Sequence, residues 1–182
     1  GEAGRVLYEK NGYEVLPMAS TTKIMTLLVV LEHTAPTDIV TVSQNAAKQP
    51  DVQLNMNTGE QYYVGDLCYS LMLESHNDTA VALAEHVGGS VEGFAALMNA
   101  KAKALDMKNT TFYNCCGLDV SGHVSCARDV ALMSAELMKN HPWITKYTTT
   151  WMDTIIHTTR RGSSEFGLAN TNKMVRFYSG CT

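Results

Sequence analysis

The sequence predicts an α+β fold, a helical lobe beside an antiparallel sheet with a cleft between them. Several apolar runs keep the one-face spacing of a helix, one run is rich in β-branched residues, and an Asn-Gly pair separates two short strand-like segments. At 182 residues, 45% hydrophobic and 18% charged, the chain is long enough for one sizeable core. Residues 1–182 are expected to form one continuous unit, since no repeat or low-complexity linker interrupts them.

Taken in order, strands are expected over Arg5 to Glu9 and Tyr13 to Val15, joined as a hairpin at Asn11-Gly12. A helix after Ser20 follows, with Ile24, Leu27, Leu28 and Leu31 on one face, which marks it as a central buried helix. Thr34 to Gly65, with Pro36, Pro50 and Gly59, reads as loop-rich. Asp66 to Glu74 and Thr79 to Val87 read as two helices separated by Ser75-His76-Asn77, the second stopped by Gly88-Gly89. The next helix runs from about Val91 to Leu105 and buries Phe94, Leu97, Met98 and Leu105. Another runs from Cys126 to Lys139 and ends at His141-Pro142. Asp153 to Thr158 reads as a strand, and after Arg160-Arg161-Gly162 the pattern becomes irregular.

Ser20-Thr21-Thr22-Lys23 heads the apolar run Ile24 to Leu31. Positions three apart share a helix face, so the Lys23 amine comes within reach of the Ser20 hydroxyl. A lysine serves as the base for a serine nucleophile when burial and nearby positive charge lower its pKa. The string alone is weak, because a chain this rich in serine and lysine holds one by chance in roughly one case in two. Ser75 and Asn77 have two readings. They cap the following helix, or they face a cleft, where a hydroxyl shuttles a proton and a carboxamide binds a substrate amide.

The pair of motifs, SxxK followed by SxN, resembles the serine penicillin-recognising proteins. More closely, it resembles the exported D-alanyl-D-alanine carboxypeptidases among the small penicillin-binding proteins. The likeness extends to Gly4-Arg5-Val6-Leu7-Tyr8-Glu9-Lys10-Asn11 and Pro17 to Thr26. It continues through Thr111-Phe112-Tyr113-Asn114-Cys115-Cys116-Gly117-Leu118-Asp119, Cys126 to Ala131, and Asn170-Thr171-Asn172. The resemblance implies a β-lactamase/transpeptidase-like fold and removal of the terminal D-alanine from peptidoglycan stem peptides through an acyl-serine. Ser20 would be the nucleophile and Lys23 its base, Ser75 would pass the proton to the leaving group, and Asn77 would bind the peptide amide while contacting Lys23. It also implies acylation by β-lactams, an extracytoplasmic location at the cell envelope, and no cofactor.

The family's third motif, Lys-Thr-Gly, is expected just after Ser179-Gly180-Cys181 and is absent from the sequence. In relatives that lysine holds the substrate carboxylate, and its strand supplies one of two oxyanion N–H donors. Loss of one such donor costs about a hundredfold or more in rate, so this piece alone is expected to be impaired. The resemblance also implies an open sheet edge at the C-terminus, to be completed by a second chain, a neighbouring copy or a segment lost by cleavage.

Other classes fit less well. A class A-like β-lactamase needs a glutamate in an ExxLN string after the second motif. Glu136-Leu137-Met138-Lys139-Asn140 lacks the leucine, and Asp51-Val52-Gln53-Leu54-Asn55 lacks the glutamate and lies before Ser75. A glutaminase of the same fold is disfavoured by the segments around Asn114 and Asn170. A non-catalytic penicillin-sensor or scaffold domain lacking the third motif is the alternative from outside the enzymes. A net charge of -4 with no basic stripe argues against nucleic acid. The Ile24 to Leu31 run is too short to cross a membrane.

Cys68, Cys115, Cys116, Cys126 and Cys181 have no paired CxxC spacing, so a zinc site is not expected and all five are expected reduced. His33, His86, His123, His141 and His157 show no ligand spacing and are assigned surface or cap roles. His76 is assigned to the rim of the cleft. Arg128 with Asp129 reads as a structural ion pair or a helix start, and the ten methionines as core filling.

Overall fold

The computed structural model describes residues 5–159 and 162–181. Gly4, Arg160, Arg161 and the His157 side chain, all invoked above, lie outside that description.

In chain order the elements are β1 (Leu16–Pro17), α1 (Thr22–His33), β2 (Ile39–Thr41), α2 (Gln44–Ala47), β3 (Gln61–Tyr63), α3 (Val64–Leu73), α4 (Asn77–Gly88) and α5 (Val91–Ala104). There follow β4 (Val124–Ser125), α6 (Ala127–Asn140), α7 (Thr145–Thr148), β5 (Met152–Thr159), β6 (Gly162–Ala169) and α8 (Met174–Phe177). The larger sheet has the order β2-β3-β5-β6 with every pair antiparallel, and β1 pairs separately with β4.

Helix α1 is the axis of the helical lobe and touches α3, α4, α5 and α6. Met25, Leu27, Leu28, Val29 and Val30 are all inaccessible to solvent, so the helix is apolar and buried almost all round rather than along one stripe. Helix α4 stops where expected, with Gly89 in the left-handed conformation (φ 71) and its N–H returned to Glu85 O at 2.9 Å. Ser90 then caps α5 by accepting from the Gly93 N–H. At the head of α6, the buried Asp129 carboxylate accepts from Asn109 N–H, the Thr110 hydroxyl and Arg128, so the Arg128-Asp129 pair is structural as expected.

Three expectations are corrected. The hairpin about Asn11-Gly12 is not formed. Asn11 takes the left-handed turn conformation (φ 51), yet residues 5–9 are not a strand, and Val6, Leu7 and Tyr8 are at least 70% exposed. A two-stranded hairpin that packs neither face is marginal in water, and turn chemistry alone does not hold one. The loop-rich stretch from Thr34 to Gly65 contains β2, α2 and β3, each too short for a periodic signal. The irregular stretch after Gly162 is strand β6, registered against β5 through Asp153↔Leu168, Ile155↔Phe166 and Met152↔Ala169. Its Gly-Ser-Ser-Glu-Phe-Gly composition has low strand preference, and pairing with β5 overrides it.

Candidate active site

Ser20 lies in a 3₁₀ turn (Ala19–Thr21) that runs directly into α1, and its side chain is exposed. Lys23, one turn on, is 3% exposed. Its Nζ lies 3.2 Å from Ser20 Oγ, 2.9 Å from Asn77 Oδ1 and 2.8 Å from the Cys116 carbonyl oxygen. Burial lowers the Lys23 pKa from its ordinary value, opposed in part by the thiols of Cys116 and Cys115. A neutral amine has two hydrogens and one lone pair. With the hydrogens given to Asn77 and Cys116, whose oxygens only accept, the lone pair is left for the Ser20 hydroxyl proton.

Asn77 opens α4, and its amide is fully engaged. Oδ1 accepts from Lys23, while Nδ2 donates to Pro50 O at 3.1 Å and to Asp51 O at 3.0 Å. Ser75, two residues earlier, is half-buried with a left-handed backbone (φ 64), and its hydroxyl has no partner among the described residues. Ala19, just before Ser20, is also left-handed (φ 45). Non-glycine residues in this region cost on the order of 1–3 kcal/mol and persist where surrounding packing imposes them. The structure therefore brings Ser20, Lys23 and Asn77 into direct contact and sets Ser75 in the adjoining turn.

His76 is not at a rim. It is 3% exposed, with Nδ1 2.8 Å from Ser70 Oγ and Nε2 3.0 Å from Glu74 Oε2. Burial lowers its pKa, with Glu74 and Asp78 opposing and Lys23 reinforcing. Glu74 extends the link to the sheet, where its Oε1 accepts from the Ala169 N–H at 2.7 Å. Beside it, Thr171 N–H donates to Leu73 O, and Asn170 is fixed through Thr148 O and Thr150 O. The segment after β6 thus runs along the end of α3, next to the Ser75 turn.

His123 is also corrected from a surface role. It is 3% exposed, accepts from the Tyr113 N–H at Nδ1, and therefore presents Nε2–H to Thr22 Oγ1 at 2.8 Å. His33 keeps its cap role, with Nδ1 2.8 Å from Val29 O near the end of α1.

The loop Asn114–Leu118, singled out above only as part of the likeness and given no role there, belongs to the site. Asn114 Oδ1 accepts from the N–H groups of Cys116, Gly117 and Leu118, and Thr26 Oγ1 donates to Cys115 O. This clamp aims the Cys116 carbonyl at Lys23. Gly117 (φ +86) lies so close to the Ser20 turn that a Cβ there would stand 1.9 Å from Ala19 O. An Asn three residues before a Gly was the available signal, although a backbone carbonyl ligand has no residue-type signature.

The match to a family model decides the relationship: residues 1–181 fit the model described as D-alanyl-D-alanine carboxypeptidase. The chain belongs to this family. It is 41% identical over 184 residues to the D-alanyl-D-alanine carboxypeptidase DacF of Bacillus subtilis, covering 98% of this chain and 46% of that relative. It is 40% identical over 151 residues to DacC of Escherichia coli, covering 77% and 38% respectively. Among solved structures, a mutant of a Streptomyces DD-transpeptidase superposes with a TM-score of 0.88 at 30% identity, covering 96% of this chain and 72% of that one. Penicillin binding protein 6B of Escherichia coli gives 0.81 at 29% identity, covering 97% and 56%. The fold is that of the penicillin-binding and transpeptidase proteins. The chain spans about half the length of the first of these curated relatives. No helix among the described residues is long and apolar enough to cross a membrane.

Proposed function

We propose that this chain carries the acylation machinery of a serine D-alanyl-D-alanine carboxypeptidase that trims peptidoglycan stem peptides and is acylated by β-lactams. The observation that supports this best is the environment of Lys23. Its two acceptors and its burial favour a free amine with the lone pair toward Ser20. Lys23 takes the Ser20 proton as Oγ attacks the carbonyl of the penultimate D-alanine, and the Ser20 N–H helps hold the developing oxyanion. The C–N bond to the terminal D-alanine then breaks, and Ser75 passes a proton to the departing amine. Water hydrolyses the ester and frees Ser20. Asn77 holds Lys23 throughout; its contact with the substrate amide draws on an Nδ2 hydrogen now given to Pro50 or Asp51. A β-lactam follows the same path, but its opened ring stays in place and delays hydrolysis. Family membership supports an extracytoplasmic setting for this chemistry, at the outer face of the cell envelope.

Glu136 gives no support to a β-lactamase reading, since it pairs with Lys101, which also binds Glu32 on the far end of α1. The test is intact-mass analysis after incubation with benzylpenicillin, for this chain and for a version extended through the Lys-Thr-Gly strand. One penicilloyl adduct, lost in Ser20→Ala, is expected in the extended form. A folded extended form that stays unlabelled would sink the enzyme reading and favour a scaffold domain.

A further inference from the structure

Two thiols lie directly behind the Lys23 amine, and the acylation chemistry uses neither. Cys115 and Cys116 are adjacent in sequence, 0% and 2% exposed, with their sulfurs 3.7 Å apart. All five cysteines are free. The Cys116 sulfur also lies 3.5 Å from Asn77 O, so the pair is packed against a residue of the site. A disulfide requires the sulfurs to close to about 2.05 Å, which for neighbouring residues means rotating the peptide between them. That peptide is held at both ends, by Thr26 on Cys115 O and by Asn114 on the Cys116 N–H. The next carbonyl is the one that accepts from Lys23, and the next residue, Gly117, has no room to move against Ala19. The loop has no slack to absorb the rotation.

We propose that Cys115 and Cys116 form a dithiol modification site: a small, neutral two-electron thiol oxidant of the diazenedicarboxamide class closes them into a vicinal disulfide and thereby displaces the carbonyl that positions Lys23. The Cys116 sulfur attacks one nitrogen of the N=N bond, which becomes a single bond and takes up a proton. The Cys115 sulfur then displaces that nitrogen, forming S–S and releasing a hydrazine that carries both thiol protons and two electrons. Contact with the Cys115 thiol favours the Cys116 thiolate, and Cys116 is also the less completely covered of the two, so Cys116 attacks and Cys115 resolves. Because the closed form breaks the Thr26 and Asn114 clamps, it is a strained disulfide and is readily returned by a dithiol reductant.

The consequence for Ser20 rests on the proposed function, but the closure does not, and the experiment separates them. The protein is treated with diamide and analysed by intact mass. Selectively ¹³C-labelled lysines report the Lys23 Cε resonance, assigned with Lys23→Arg. The expected result is loss of two hydrogens per chain, absent in Cys115→Ser, with a Lys23 resonance shift that dithiothreitol reverses. Cys68, Cys126 and Cys181 remain in both proteins as internal controls. In the extended form, penicillin acylation of Ser20 is expected to slow about tenfold or more after diamide and to recover with reductant, while Cys115→Ser shows the same rate before and after. A native mass unchanged by diamide, or closure that leaves the Lys23 resonance in place, overturns the proposal. Absence of penicillin labelling before oxidation counts against the enzyme reading, while the mass and resonance changes are read independently of it.

Discussion

Asn77 Oδ1 lies 2.9 Å from Lys23 Nζ, so the turn between α3 and α4 meets the first turn of α1 at the proposed base. The other end of the same amide holds the Pro50 and Asp51 carbonyls. One buried side chain therefore satisfies three partners, and its removal strands all of them. Asn77→Ala is expected to slow Ser20 acylation by about 5- to 150-fold, the equivalent of roughly 1–3 kcal/mol for leaving a buried donor unsatisfied. It should also lower the melting temperature, because two carbonyls lose their donor. Unchanged acylation in a folded Asn77→Ala protein would remove Asn77 from the site.

The pH dependence of acylation follows from Lys23. Its pKa is lowered from 10.5 by burial, and only the free amine accepts the Ser20 proton. The acylation rate is therefore expected to rise with pH along a limb lying below 10.5 and to level once Lys23 is neutral. Asn77→Asp places an anion beside the amine, which favours the ammonium and moves that limb to higher pH. Lys23→Arg, which has no free lone pair, should lose about 10²- to 10⁴-fold. Stopped-flow acylation across pH in the form that labels checks all three; a limb unaffected by Asn77→Asp would dissociate it from Lys23.

Gly117 offers a purely steric test. An alanine Cβ would stand 1.9 Å from Ala19 O and 3.0 Å from Ser20 N, at a backbone φ of +86. Neither partner is a flexible side-chain end, so the Ser20 turn itself must shift. Overpacking of about 3 kcal/mol corresponds to a fall in Tm of about 6–12 °C for a chain of this size. Acylation should fall with it, even though residue 117 contributes no reactive group.

Acid stability should reflect His76 and His123. Both are buried with pKa values lowered from 6.5. The unfolded chain binds protons on these rings at a pH where the folded protein does not, so stability rises with pH in that window. It is intact above about 6.5 and declines as pH falls toward and through the lower folded values. Urea midpoints at pH 5 and pH 8 should differ less in His123→Gln, which keeps a donor toward Thr22 without a titrating ring. An equal pH slope in the variant would exclude His123 as a contributor.

What the sequence disclosed followed length and periodicity. The helices around α1, α3, α4, α5 and α6 were legible within a few residues, as was the strand β5, because each spans enough residues for a 3.6 or 2 period. The contact between Ser20 and Lys23 was legible from helical spacing, whereas their reading as nucleophile and base came from the resemblance. The three-residue strands β2 and β3 were too short to show a pattern, and β6 owes its conformation to β5 rather than to its own residues. The burial of His76 was hidden for a different reason. Its partners Ser70 and Glu74 are close in sequence, but only the fold packs Ala169 and α4 over them. The Cys116 carbonyl was invisible because backbone ligands are chosen by conformation, which here Asn114 and Gly117 impose.

Glu74 joins that buried histidine to the sheet, and the join is testable. One carboxylate oxygen faces His76 Nε2 at 3.0 Å, and the other accepts the Ala169 N–H at 2.7 Å, at the end of β6. The Ser75 turn and the segment leading out of the sheet are therefore tied through one side chain, although they are 95 residues apart. Glu74→Ala removes a charge-assisted hydrogen bond worth roughly 1.5–3 kcal/mol. Exchange of the Ala169 amide with solvent deuterium is expected to accelerate about 10- to 100-fold, together with faster exchange at Asn77 in the adjoining turn. Glu74→Gln, whose carbonyl oxygen still accepts from Ala169 while its amide reaches His76, should recover most of the protection. If exchange at Ala169 rose in Glu74→Ala while Asn77 kept its protection, the sheet end would be anchored by Glu74 but not coupled to the turn that carries Ser75.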